Sequence, residues 1–325
     1  MRQIKKSEKV LITGVSGEVG YGLVKKLFES KKYNIIAVDI KTPEQDIIKN
    51  THKFIKSDIL DFKILESIFK NNDIDTVIHL ASILSTGGEK NPELASDINI
   101  MGTLNLFKLA TKYSIKNKKS IKFIFPSSIA AHGDPITIYG ISKQACEKIG
   151  VYYSKRYKLL DVEIDRKNLI DFRCVRFPGL LSPDTLPSGG TSDYGSEMLH
   201  SAAQKKKYFC FVRPNTTIPF MAMDDAVTIL YQLLTTEKEK LTQNIYEVSG
   251  FSVSAKDIEK KTAQAFPDAK IIYRINPERQ KIVDSWPKRV GSKEAISDWG
   301  YSLKYDFEKT FSKYLIPKIS KKYER

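Results

Sequence analysis

The residues of this chain best suited to chemistry are Tyr139 and Lys143, in the run Tyr139-Gly140-Ile141-Ser142-Lys143. Four residues apart on a helix, a phenol and an ammonium share one face. A neighbouring ammonium lowers a phenol's pKa, so the spacing predicts that Tyr139 is a usable base near neutral pH. Ser128 ends the run Pro126-Ser127-Ser128, 11 residues earlier. Its hydroxyl can share a substrate oxygen with the phenol, because 11 extended steps span up to roughly 37 Å. An isolated pair of this kind would read as the surface of an amphipathic helix; the context below makes it a site.

That context starts with Gly14-Val15-Ser16-Gly17-Glu18-Val19-Gly20, directly behind the apolar run Val10-Leu11-Ile12. The pattern predicts strand, glycine turn, helix. Glycines let backbone N–H groups approach phosphates, and a helix N-terminus adds partial positive charge. Gly14, Gly17, Glu18, Val19 and Gly20 are therefore the candidate cradle for a dinucleotide pyrophosphate. Asp39 falls 19 residues after Gly20, at the end of the run Ile35-Ile36-Ala37-Val38. A carboxylate there accepts both ribose hydroxyls and repels a 2′-phosphate, which favours NAD over NADP. Lys41 softens that repulsion without reversing the preference.

These residues need a scaffold, and the chain alternates short apolar strands with helical patterns. Strands are expected at Val10–Thr13, Ile35–Asp39, Lys53–Ser57, Thr76–Leu80, Ile121–Pro126 and Asp171–Arg176. Helices are expected near Glu18–Ser30, Phe62–Lys70, Pro92–Ser114 and Tyr139–Lys155. The expectation is an α/β fold: a Rossmann-type, doubly wound parallel sheet with a smaller C-terminal substrate-binding cap. Beyond Pro178 the pattern loosens into a loop marked by Pro183, Pro187, Gly189 and Gly190, then a short helix at about Thr191–Gln204. Ala222–Leu234 and Tyr246–Ser249 look like a helix and strand returning to the sheet. Residues 1–176 with the return segment 216–249 then form the NAD-binding domain, and residues 177–215 and 250–325 the cap.

Composition narrows the class. The 325 residues suffice for a full core, and no apolar run approaches a membrane span. The basic start, Met1 to Lys9, leaves no room for a cleavable signal before the first strand. Net charge is +15, but only 10 of 53 cationic residues are arginine and the lysines are scattered. That is a solvated surface rather than a nucleic-acid groove, so no nucleic-acid or membrane partner is expected. Cys146, Cys174 and Cys210 lack ligand spacing and sit in apolar runs, as do free thiols in a reducing, cytoplasmic compartment. The four histidines (His52, His79, His132, His200) show no ligand spacing either, so no metal is expected.

The glycine turn, the acid after the second strand and the Ser…Tyr-x-x-x-Lys set resemble the extended short-chain dehydrogenase/reductase family, which includes NAD-dependent epimerases and dehydratases. The resemblance assigns Asp58 and Ile59 to the adenine edge, Leu80, Ala81 and Ser82 to the length of the cofactor, and Lys143 to the nicotinamide ribose as well as to Tyr139. It adds Pro178 to the cofactor site, and Asn99 in a mainly architectural role. Further segments are similar to the short-chain type of L-threonine 3-dehydrogenase: 82–92, Arg176-Phe177-Pro178-Gly179-Leu180, 189–194, Ile218-Pro219-Phe220-Met221 and Asp284-Ser285-Trp286-Pro287. That likeness implies substrate contacts from Ser85, Ser128, Tyr139, Gly190, Thr191 and Trp286. It implies NAD-dependent oxidation of the L-threonine hydroxyl to 2-amino-3-oxobutyrate. It also implies a homodimer built on the helices Pro92–Ser114 and Tyr139–Lys155.

Two other functions share the same residues. One is a nucleotide-sugar epimerase or dehydratase; such enzymes usually carry asparagine after the Arg-aromatic pair, where this chain has Pro178. The other is a non-catalytic NAD-binding sensor or scaffold, made less attractive by the intact Ser128, Tyr139 and Lys143. The chain also departs from the family pattern. Only Asp134 to Ile138 separate Gly133 from Tyr139, Leu159–Asn168 is extra length, and His132 replaces the usual aromatic residue.

Overall fold

A computed structural model describes residues 7–185 and 189–324. The basic start Met1–Lys6 and the loop residue Pro187 lie outside the described residues. The strands are β1 (Glu8–Thr13), β2 (Tyr33–Asp39), β3 (Lys53–Lys56), β4 (Thr76–His79), β5 (Lys122–Ser128), β6 (Asp171–Phe177), β7 (Gly179–Leu181), β8 (Lys207–Cys210), β9 (Thr217–Ala222), β10 (Ile245–Glu247), β11 (Phe251–Ser254) and β12 (Lys270–Tyr273). Seven of them form one sheet in the order β10-β6-β5-β4-β1-β2-β3. Every pair in it is parallel.

Side chains alternate across a strand, and here the alternation feeds two separate cores. Val10, Ile12, Ile35, Ala37, Ile78 and Ile124 join the core on one face. Leu11, Ile36, Val38, Val77, Phe123 and Phe125 join the core on the other. Such strands must be apolar throughout, which is why they read as continuous runs. The strand order reverses between β1 and β4, so the chain leaves the carboxyl ends of these two neighbours in opposite directions. The crevice this opens is where ligands of doubly wound sheets bind. Gly14 and Leu80 stand at its rim.

Helices cover both faces. Glu18–Glu29 packs against the returning helix Met223–Thr235. Gly22 makes that approach possible, because a Cβ there would lie 2.9 Å from the Val227 side chain. Two small sheets complete the fold. In one, β9 pairs in parallel with β7 and antiparallel with β11; in the other, β8 pairs with β12.

The expected helix Pro92–Ser114 is built differently. It is α-helical over Pro92–Ser96, π-helical over Asp97–Gly102 and α-helical again over Thr103–Lys116. Hydrophobic periodicity does not reveal one widened turn, yet such turns gather at functional sites. The extra segment before β6 is a run of turns ending in a 3₁₀ turn at Arg166–Asn168. Arg166 holds it by donating to the carbonyls of Lys158, Leu159 and Asp161. No described helix is long and apolar enough to cross a membrane.

Candidate active site

The glycine turn leaves β1 with Gly14 at φ +76°. A Cβ on Gly14 would lie 2.4 Å from the Ala81 backbone nitrogen, and one on Gly20 would lie 2.5 Å from the Val15 carbonyl oxygen. Neither position can hold a side chain, so the turn presents bare backbone. The helix behind it begins at Gly17 with no side chain capping its first N–H groups. Uncapped N–H groups beside a side-chain-free cradle fit a pyrophosphate. Asp39 closes the turn from the end of β2. Its Oδ2 accepts from the Ser16 N–H at 2.9 Å and its Oδ1 from the Lys41 N–H at 2.9 Å. The carboxylate thus holds its own turn. Asp58 likewise caps its turn, accepting from the Leu60 N–H at 2.9 Å, and Ile59 beside it is buried.

Along the other side of the crevice, Leu80, Ala81 and Ser82 follow β4. The Leu80 N–H donates to the Thr13 carbonyl, and the Ser82 hydroxyl to Asn99 Oδ1. Asn99 lies in the π-helical turn and is saturated. Its Oδ1 also accepts from the Ile83 N–H, and its Nδ2 donates to the Ile83 carbonyl and the Ser142 hydroxyl. All four of its hydrogen-bonding positions serve the chain itself. Its part is therefore architectural, tying the loop after β4 to the helix Ile138–Lys155. Pro178 is buried between β6 and β7.

Ser128 ends β5, and Tyr139 and Lys143 rise from the first turns of Ile138–Lys155. That helix is capped by Thr137, whose Oγ1 accepts from the Gly140 N–H. Gly140 lets it run close, since a Cβ would sit 2.3 Å from the Ala130 carbonyl oxygen. Lys143 is buried, donates to the Pro126 carbonyl at 2.8 Å, and lies 4.6 Å from the Phe125 ring centre. Burial pushes its ammonium down to about 8. Here the expectation from spacing needs correction. Burial pushes the Tyr139 phenol up to about 12, against the opposing effect of a hydrogen bond with Ser128. Lys143 stands 5.7 Å from the Tyr139 ring centre and does not overcome the loss of solvent. In the free chain Tyr139 is a protonated phenol at neutral pH.

The candidate substrate residues separate into two groups. Ser85 and Thr191, both buried, place their hydroxyl oxygens 2.7 Å apart, and the Thr191 N–H donates to Ser85 Oγ. Gly189 (φ +105°) and Gly190 turn the chain into this contact, both N–H groups donating to Asp193 Oδ2. Arg279 donates to the Gly190 carbonyl with its guanidinium carbon over the Phe211 ring, 3.2 Å from the ring centre. Trp286, by contrast, packs half-buried against the main core just beyond the helix Pro277–Asp284. No hydrogen bond of the described residues joins it to Ser85 or Thr191.

Three features escaped the reading of the sequence. Glu18, in the cradle, faces Asp193, and burial with that like charge pushes its carboxyl up to about 7. His79 is fully buried between Thr13 Oγ1 at 2.6 Å and Thr103 Oγ1 at 2.8 Å. Burial drives it down to about 3, so it is neutral and locks β1, β4 and the start of the helix Thr103–Lys116 together. Arg176 grips Glu147 with two nitrogens, at 2.8 and 2.6 Å. A Glu at i+4 from Lys143 was the available signal for this pair.

The chain from residue 10 to 249 matches the family model of the NAD dependent epimerase/dehydratase family. A mitochondrial L-threonine 3-dehydrogenase of Bos taurus is 34% identical over 316 residues, covering 93% of this chain and 79% of that protein. The crystal structure of L-threonine dehydrogenase from Clostridium difficile superposes with a TM-score of 0.85 at 32% identity, over 97% of this chain and 98% of that one. A monomeric L-threonine 3-dehydrogenase from a metagenome gives a TM-score of 0.82 at 36% identity, over 97% and 98%. This chain belongs to the NAD-dependent epimerase/dehydratase family, and is an NAD-dependent oxidoreductase with a Rossmann-like fold. Within the family it is L-threonine 3-dehydrogenase-like.

Proposed function

We propose that the enzyme oxidises the secondary hydroxyl of L-threonine to 2-amino-3-oxobutyrate. The observation that carries this reading is the near full-length likeness to L-threonine dehydrogenases. The Ser85–Thr191 hydroxyl pair supports it, as paired hydroxyls suit a small zwitterion.

Gly14, Gly17, Glu18, Val19 and Gly20 hold the pyrophosphate, Asp39 the adenosine ribose, and Lys143 the nicotinamide ribose. NAD, when bound, would supply the hydride acceptor and the positive charge of its oxidised nicotinamide. Ser128 orients the substrate oxygen. Tyr139, as phenolate, takes the hydroxyl proton while the carbon–hydrogen electron pair leaves as hydride. Lys143, as ammonium, stabilises that phenolate. Positive charge is needed because burial holds the phenol up at about 12.

Pro178 supports threonine over a sugar nucleotide, since it offers no side-chain amide to a diphosphate. Residues 1–176 and 216–249 serve as the cofactor domain and 177–215 with 250–325 as the cap. Exposed Leu94, Met101, Ile141 and Tyr152 on the helical segments Pro92–Lys116 and Ile138–Lys155 support a two-fold dimer. The three buried free thiols support a reducing, cytoplasmic location.

The test follows NADH formation with L-threonine, alongside epimerisation of UDP-glucose and UDP-galactose. Threonine-dependent NADH is expected. Epimerised sugar without threonine turnover overturns the assignment.

A further inference from the structure

Lys143 is a buried ammonium, and the groups facing it decide whether it keeps its proton. Its own helix supplies Tyr139, Cys146 and Glu147; β6 supplies Cys174 and Arg176; β4 supplies His79; β5 supplies the Phe125 ring and the Pro126 carbonyl. His79 is neutral. Burial raises both thiols, Cys146 to about 11, so neither carries charge at neutral pH. Of the groups that favour the ammonium, this leaves Glu147, one turn along the helix and 1% exposed.

A carboxylate that deep takes up a proton unless it is paired. Arg176 supplies the pair in fork geometry, with Nε on Oε1 at 2.8 Å and Nη2 on Oε2 at 2.6 Å. A third guanidinium nitrogen reaches Glu247 on β10 at 3.2 Å, and the His132 imidazole lies 3.5 Å from the same carboxylate. The network therefore runs from the short loop before Tyr139, across two strand ends, to the helix that carries Tyr139 and Lys143.

We propose that Glu147 and Arg176 are positioning residues that keep Lys143 protonated and aimed across the nicotinamide site. The pair touches neither substrate nor cofactor. It acts by holding one buried negative charge a helical turn from the ammonium, and by fixing the helix to β6. This rests on the role of Lys143 under the proposed function. Arg and Lys are not equivalent here, because only the guanidinium meets both carboxylate oxygens at once.

The experiment measures Lys143 directly in the cofactor-free protein, by ¹³C-lysine NMR titration with Lys143→Arg to assign the signal. Glu147→Gln is expected to lower the Lys143 pKa by about one unit, and Arg176→Lys by less. In activity profiles the high-pH limb, where Lys143 loses its proton, should move to lower pH by the same amount. If Glu147→Gln does not fold, Arg176→Lys carries the same test and is expected to shift Lys143 in the same direction. Folded variants whose Lys143 titrates as in the parent overturn the proposal. So does an activity loss uniform across pH, which marks a merely structural role. A wild-type protein without threonine turnover refutes the functional reading instead, and leaves the Lys143 titration to decide the pair.

Discussion

The hydroxyls of Ser85 and Thr191 are 106 residues apart in sequence and 2.7 Å apart in space. One begins the helix Ser85–Lys90 behind the loop after β4; the other follows the Gly189–Gly190 turn. A second bond, Thr86 N–H to the Gly189 carbonyl at 3.3 Å, runs beside the first. These contacts tie the sheet's carboxyl edge to the segment beyond β7.

Ser85→Ala should therefore act on substrate rather than cofactor. It strands the Thr191 hydroxyl and N–H together, and a buried polar group left unpaired costs about 1–3 kcal/mol. We expect KM for L-threonine to rise roughly tenfold or more while the Kd for NAD changes little. Thr191→Ala should do the same, and the double variant should be less harmful than the sum. Equal losses in NAD affinity, measured by calorimetry, would contradict this.

Tyr139→Phe removes the phenol oxygen and nothing that Lys143 or the glycine turn contributes. Turnover of L-threonine should fall by about 10²–10⁴, the range for a positioned proton-transfer group, while NAD still binds. Retained activity in stopped NADH assays would remove Tyr139 from the reaction.

The fold was legible because a doubly wound sheet needs apolar strands, and Val10-Leu11-Ile12 and Ile35-Ile36-Ala37-Val38 advertise them. Ser128, Tyr139 and Lys143 were legible as a set because their spacing matches one face of one helix and the end of one strand. What failed was electrostatic. Spacing shows that an ammonium sits near a phenol, but not how far each charged end is removed from water, and that desolvation dominates the Tyr139 shift. The π-helical turn at Asn99 and the neutral His79 between two threonines were hidden for a related reason. Each is specified by tertiary partners from three elements, which no local pattern contains.

Gly14→Ala tests the cradle. The new methyl meets backbone at 2.4 Å, where nothing can rotate away, at a φ that alanine disfavours. Strain of this kind costs about 1–3 kcal/mol. The melting temperature should fall by several degrees and NAD should cease to stabilise the protein in thermal shift. An unchanged NAD response would exclude Gly14 from the cofactor site.

Asp39→Asn tests cofactor choice. The amide removes the negative charge that repels a 2′-phosphate and cannot accept from both the Ser16 and Lys41 N–H groups. NAD affinity should drop severalfold, and the ratio of NADP to NAD use should rise by about tenfold or more. A ratio that stays fixed in initial-rate assays would mean discrimination lies elsewhere.

Glu18 makes stability depend on pH in an unusual direction. Its carboxyl is held at about 7, above the ordinary 4.5, by burial first and by Asp193 second. The folded chain then binds this proton more tightly than the unfolded chain between those values. The resulting stability is fully present below about pH 4.5 and is lost as pH rises through about 7. Glu18→Gln imitates the protonated form at every pH. Its melting temperature should match the parent's near pH 5 and exceed it by a few degrees at pH 8. The gap should open between those points, read by calorimetry at matched ionic strength. A gap that is constant with pH would show that Glu18 does not titrate in this range, and that Asp193 does not reach it.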